Sequence, residues 1–242
     1  MGFNFTTLLE LVFGLLIPVI IILCFLFSKR KKEIAFESIT YGFLSFLGSI
    51  VAVFIGFIIV NSLFLSSLSL NDETSGFVIS GSIIIIMLAI LFAVCESLKV
   101  MTIRNFQKKE THYRMAGIGF SAGVIIAQNV CVFIMLNAIN NYEIDAAYAL
   151  YSGGIICITG IMYLVLSASC QVILKDYKNP VPAYALSSVY YLYWTSAIIC
   201  SRSTILLYLV SALFFVISFV LSGVFIFKIR KNKNIVGELI DN

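Results

Sequence analysis

The chain has 242 residues, of which 61% are hydrophobic and only 12% charged, with a mean hydropathy of +1.05. Soluble domains run near 45–50% apolar and about 25% charged, so a soluble globular domain and a disordered chain are both excluded. The formal net charge is +4, but the basic residues lie in short loops between apolar runs, where they set orientation; nucleic acid is not an expected partner.

A helix that crosses a membrane needs about 20 apolar residues in succession. Seven stretches qualify, at approximately 7–27, 35–65, 76–99, 115–138, 146–174, 181–200 and 204–227. Barrel strands would alternate over about ten residues, and these runs do not alternate. The expected fold is therefore an all-α integral membrane protein, one polytopic domain over 1–242 built as a bundle of seven transmembrane helices. The first run follows an uncharged amino end and lacks a small-residue cleavage site before its basic flank. It reads as a permanent span.

Orientation follows from the loops. Lys29-Arg30-Lys31-Lys32 follow the first run, and Arg104, Lys108, Lys109 and Arg114 follow the third. Lys175 and Lys178 follow the fifth, and Lys228, Arg230, Lys231 and Lys233 the seventh. The opposite loops hold Asp72, Glu73, Glu143 and Asp145, with Arg202 as their only basic residue. Cytoplasmic loops are the basic ones, which places the amino terminus outside and the carboxyl terminus in the cytoplasm. Cell membrane is the expected location, with lipid as a partner for the basic loops.

The loops are too short to hold a soluble domain, and no repeat relates the two halves. Cys24, Cys95, Cys131, Cys157, Cys170 and Cys200 sit singly in apolar runs without metal-ligand spacing, and read as small buried hydrophobes. The one histidine, His112, lies in a polar loop. No metal site and no cofactor are expected.

Ionisable side chains within membrane spans are expensive, and each is a functional candidate by default. Glu10 and Glu37 lie close enough to predicted membrane edges to reach the headgroups. That leaves Glu96, near the cytoplasmic end of the third run, with Lys99 and Arg104 following it by three and eight residues. On a helix, Glu96 and Lys99 are neighbours. Three readings stand: a self-neutralised pair with Lys99 and Arg104 snorkelling to the interface, a catalytic or proton-carrying carboxylate held by those cations, or an interhelical structural bond. In every case Glu96 is expected to face other helices, with Lys99 or a polar group of the fourth to sixth spans as its partner, and Glu96→Gln to fold normally.

The fourth run opens with Gly117-Ile118-Gly119-Phe120-Ser121-Ala122-Gly123. Gly119, Gly123 and Ala127, spaced by four, leave a flat face that admits another backbone, and Gly117, Gly119 and Gly123 read as helix-packing positions. Gln128 and Asn129 follow near mid-membrane, as bridging amides or as the lining of a polar cavity. Ser167 and Gln171 in the fifth run, beside Ser169, and Tyr190 and Tyr191 in the sixth are further cavity candidates, with Lys99 and Arg104; Ser187, Ser188, Tyr190, Tyr191, Tyr193, Trp194, Thr195 and Ser196 form an amphipathic aromatic patch.

The order of these features resembles the YhfC-type membrane proteins, relatives of the CAAX-protease-like glutamic intramembrane proteases and of the Aph scaffold subunit of gamma-secretase. The resemblance rests on Gly14-Leu15-Leu16-Ile17-Pro18 leading to Lys29-Arg30-Lys31-Lys32, on the Glu96–Arg104 stretch with Lys108-Lys109, and on Gly117–Gly123. It implies an intramembrane-protease-like fold with Glu96 as its general base. That family's proteolytic pattern has paired carboxylates followed by arginine, where this chain reads Cys95-Glu96-Ser97-Leu98-Lys99. Where active relatives bring histidines into the membrane, it has Phe120 or Val124, Ser167 and the stretch 188–191.

The leading functional expectation is a non-catalytic scaffold or regulator, acting through contacts with lipid and with other membrane proteins or peptides. The alternatives are a divergent intramembrane protease using Glu96, and a small-solute permease or transporter component using Gln128, Asn129 and the sixth-run tyrosines.

Overall fold

The computed structural model describes residues 36–60, 73–108, 115–139, 146–176, 179–200 and 203–240, with Val12, Leu15, Leu16, Val19 and Ile20 of the first run. The first span as a unit, Glu10, Gly14, Pro18, Cys24, Lys29-Arg30-Lys31-Lys32, Asp72, Lys109, His112, Arg114, Glu143, Asp145, Lys178 and Arg202 lie outside the described residues. The regular structure among the described residues is entirely helical: α1 (Phe36–Val60), α2 (Glu73–Lys108), α3 (Ala116–Ile139), α4 (Ala146–Asp176), α5 (Val181–Cys200) and α6 (Thr204–Ile240).

Four of these helices are long and apolar enough to cross a membrane, through Phe36–Gly56, Ile85–Lys108, Gly154–Lys175 and Ile205–Ile229. In α3 the apolar stretch is the shorter Ala116–Cys131. Side chains are distributed as a lipid solvent requires. Leu44, Val51, Phe54, Ile205, Leu209 and Phe227 are exposed, while Ser38, Ser45, Ser49, Ser211, Ser218 and Ser222 are buried. Three of these serines satisfy themselves locally: Ser49 donates to the Ser45 carbonyl at 2.7 Å, and Ser211 and Ser218 donate to Leu207 and Phe214 at the same distance. A serine bonded this way presents a small, closed surface to a neighbouring helix.

The helix starts have visible causes. Asn179 Oδ1 accepts the Val181 N–H at 3.0 Å, and Pro180 and Pro182 sit where N–H groups have no helical partner in any case. Ser203 Oγ accepts the Leu206 N–H at 3.5 Å, the N-cap position of α6.

Helix α2 is central, touching α1, α3, α4 and α5; α1 leans on α3 and α2, while α6 closes against α4 and α5. The buried α2 residues Cys95, Glu96, Lys99, Val100, Thr102, Ile103 and Phe106 recur at helical spacing, so a single inward face carries both charges. The sequence places the end of this run at Lys99, but the helix continues to Lys108. Glu96 is thus roughly 18 Å inside that end, at 1.5 Å per residue, and not near it.

The α1–α3 crossing is made by glycine. A Cβ at Gly123 would collide with the Ile39 carbonyl oxygen, and one at Gly42 with that of Phe120. Backbones on both sides leave nothing flexible to yield. Gly117 faces a different neighbour, with the Ser167 carbonyl oxygen 2.8 Å from where its Cβ would lie. Gly119 is buried in the same helix.

Candidate functional site

Glu96 and Lys99 form an ion pair three residues apart on α2, and both side chains have no solvent exposure. The expectation that Lys99 snorkels to the interface is corrected. Its ammonium turns inward, because α4 and α5 present acceptors there and the carboxylate cancels its charge. Nζ donates to Ser187 Oγ on α5 at 2.9 Å and to Ser167 Oγ on α4 at 3.4 Å, and lies 4.9 Å from the Tyr163 ring centroid. Arg104, further along α2, is half-buried.

The carboxylate is equally occupied. Oε1 accepts from Tyr163 at 3.0 Å and from Tyr191 at 3.3 Å, and Oε2 faces the Lys99 ammonium. Apart from that ion pair, Oε2 takes no hydrogen bond. The chain of bonds extends past the lysine: Ser187 Oγ lies 3.2 Å from Cys170 Sγ, which donates to the Ala183 carbonyl at 3.3 Å. Three helices are pinned at one point. A general base must reach a water or a substrate proton, whereas both oxygens of Glu96 are already engaged with protein groups.

This geometry also revises the expected behaviour of Glu96→Gln. The amide keeps an acceptor for the tyrosines, but its NH₂ would point donors at a buried ammonium. That variant leaves Lys99 without a counter-charge and is expected to be unstable.

Gln128, Gln171, Tyr190 and Tyr193 are placed in bonds between helices. Gln128 accepts from Tyr190 at 3.0 Å, and Asn129 is buried in the same helix. Gln171 Oε1 accepts the Gly117 N–H at 2.7 Å, so a side chain of α4 satisfies an orphan donor in the first turn of α3. Tyr193 is buried with its hydroxyl 3.2 Å from Ser211 Oγ, and its ring meets Trp194 edge-on at 5.5 Å. Tyr190 stacks obliquely on Tyr163 at 4.6 Å and meets Tyr191 edge-on at 5.4 Å, which fixes the two tyrosines of the carboxylate. Ser169 is buried and donates to Val165, while Ser188, Thr195 and Ser196 donate to their own helix.

Sequence reasoning does not reach Tyr163, Cys170 or the role of Ser187. A signal is present: Tyr163, Ser167, Cys170 and Gln171 recur at i, i+4, i+7 and i+8 in an otherwise apolar run, one polar face of α4. Cys95, Cys131, Cys157, Cys170 and Cys200 are free thiols. No group of three potential metal ligands occurs among the described residues. No protein-family model, curated protein or solved structure matches this chain.

Proposed function

We propose that the chain is a non-catalytic membrane protein of intramembrane-protease-like fold, a scaffold or regulator in the cell membrane that acts through lipid and protein contacts. What carries this reading is the complete engagement of Glu96: two tyrosine hydroxyls on one oxygen, an ammonium on the other, and no exposure of either charged side chain. Peptide hydrolysis needs a base with access to water and a donor set aimed at the developing oxyanion. Here the donors are aimed at the would-be base.

The test is incubation of the purified protein with transmembrane peptides, beside a variant lacking both charges, Glu96→Gln with Lys99→Met. No cleavage by either is the expected result. Cleavage by the wild type alone overturns the reading and makes Glu96 the base of a divergent protease.

The topology within this proposal has seven spans, amino terminus outside and carboxyl terminus cytoplasmic. Fifteen of the sixteen Lys and Arg, counting Lys99, fall on one side under it. Support also comes from one end of the bundle. Tyr41 of α1 meets Phe106 of α2, Gly117 of α3 meets Gln171 of α4, and Cys170 meets Ala183 of α5. These contacts gather the starts of α1, α3 and α5 with the ends of α2 and α4, where Lys108 and Lys175 are exposed. A cysteine placed at Lys31 or Lys109 should resist membrane-impermeant thiol reagents in intact cells. Labelling of either from outside would reverse the topology.

A further inference from the structure

At the end of the bundle where Lys108 and Lys175 lie, α1 and α2 part around a cleft of about 280 Å³ lined by Tyr41, Thr102, Asn105, Phe106 and Lys108. Four of these five side chains are polar, and each of the four can donate a hydrogen bond. The Lys108 ammonium offers three donors, the Asn105 amide two, and the Tyr41 and Thr102 hydroxyls one each. None of the four makes a hydrogen bond or ion pair with another described residue. This differs from the interior, where Tyr163, Ser167, Gln171, Ser187, Tyr190 and Tyr191 of α4 and α5 bond to groups on neighbouring helices. Among the described residues that line the cleft there is no carboxylate.

Below it, one face of α1 is bare. Tyr41, Leu44, Gly48, Val51, Ile55 and Ile58 follow one another at intervals of three and four residues, and all six are exposed. The stripe runs for roughly 25 Å at 1.5 Å per residue, close to the thickness of a hydrocarbon core, about 30 Å. On α2, Met101 is 60% exposed beside the same cleft, one turn before Asn105.

We propose that this cleft binds the phosphate of an anionic glycerophospholipid, with Lys108 as its charge partner, Tyr41 and Asn105 as donors, and an acyl chain laid along α1. Each half of the amphiphile has its counterpart: a donor-rich, positively charged cleft for the headgroup and a continuous apolar track for the tail. Lys108 is the charged group among the described lining residues, so a headgroup of net negative charge is matched there and the ammonium of a zwitterionic one is not. Soluble phosphate esters share the headgroup chemistry but have no use for the track. The inference rests on the membrane reading of the chain and not on the absence of catalysis, so its failure leaves the non-catalytic reading untouched.

The experiment is native mass spectrometry of the purified full chain in neutral detergent, titrated with phosphatidylglycerol, phosphatidylcholine or soluble glycerol phosphate. Wild type should retain phosphatidylglycerol over phosphatidylcholine. Lys108→Gln should weaken that retention by about tenfold, the scale of one charge-assisted hydrogen bond, with Tyr41→Phe weakening it less. Lys108→Arg should preserve it, and Lys228→Gln, which alters an exposed lysine on α6, should leave it unchanged. Equal retention of the two lipids, or equal loss in Lys108→Gln and Lys228→Gln, would overturn the site. Displacement of bound lipid by equimolar glycerol phosphate would overturn the choice of a lipid as its ligand.

Discussion

Lys99→Met alone is expected to lower the stability of the protein by about 3–5 kcal/mol, the scale for removing one partner of a buried ion pair. The cause is the group left behind. Glu96 would keep its two tyrosine donors, but Oε2 would face a thioether in place of an ammonium, in a site with no solvent exposure. Glu96→Gln should be at least as damaging. Lys99 would retain only the neutral oxygens of Ser167 and Ser187 and would confront the donors of the new amide. Reversible unfolding in detergent measures both, and a change below about 1 kcal/mol in either would contradict the buried-pair account.

The second large effect is expected at the α1–α3 crossing. Gly123→Ala places a methyl group against the Ile39 carbonyl, and Gly42→Ala places one against that of Phe120. Each should cost about 1–3 kcal/mol as overpacking, and Gly123→Leu more. The controls lie in the same fold. At Gly48 and Gly154 an added Cβ would meet nothing within 4 Å, so Gly48→Ala and Gly154→Ala should be neutral or stabilising by up to about 1 kcal/mol, as helix propensity dictates. Equal behaviour of all four alanine variants in a thermal melt would show that the close approach does not constrain the bundle.

Much of the helix plan is legible because long apolar runs announce themselves. The sixth run, read as 181–200, is α5 from Val181 to Cys200, bounded by Asn179-Pro180 before it and Ser203 after it. The third run, by contrast, extends past Lys99, although a charge in an apolar run ordinarily marks the membrane edge. Here the charge is cancelled by a carboxylate one turn earlier, and the helix runs on. The pair itself is readable from its spacing; its surroundings are not. Tyr163, Ser187 and Cys170 belong to other helices, and only tertiary packing brings them to α2. Gly42 illustrates the same limit. In sequence it is indistinguishable from Gly48 or Gly56, and only the crossing of α1 over α3 gives it a role.

The most direct test of the claim that this pair is structural is the combined variant Glu96→Gln with Lys99→Met, measured for unfolding free energy beside each single change. It leaves an acceptor for Tyr163 and Tyr191 and removes both charges. The account predicts that it recovers to within about 1–2 kcal/mol of the wild type, far less damaged than the sum of the singles, because the penalty of each single change is an uncompensated charge. Additive losses, or a Glu96→Gln protein that is fully stable but has lost a measurable activity, would contradict it and return the carboxylate to chemistry.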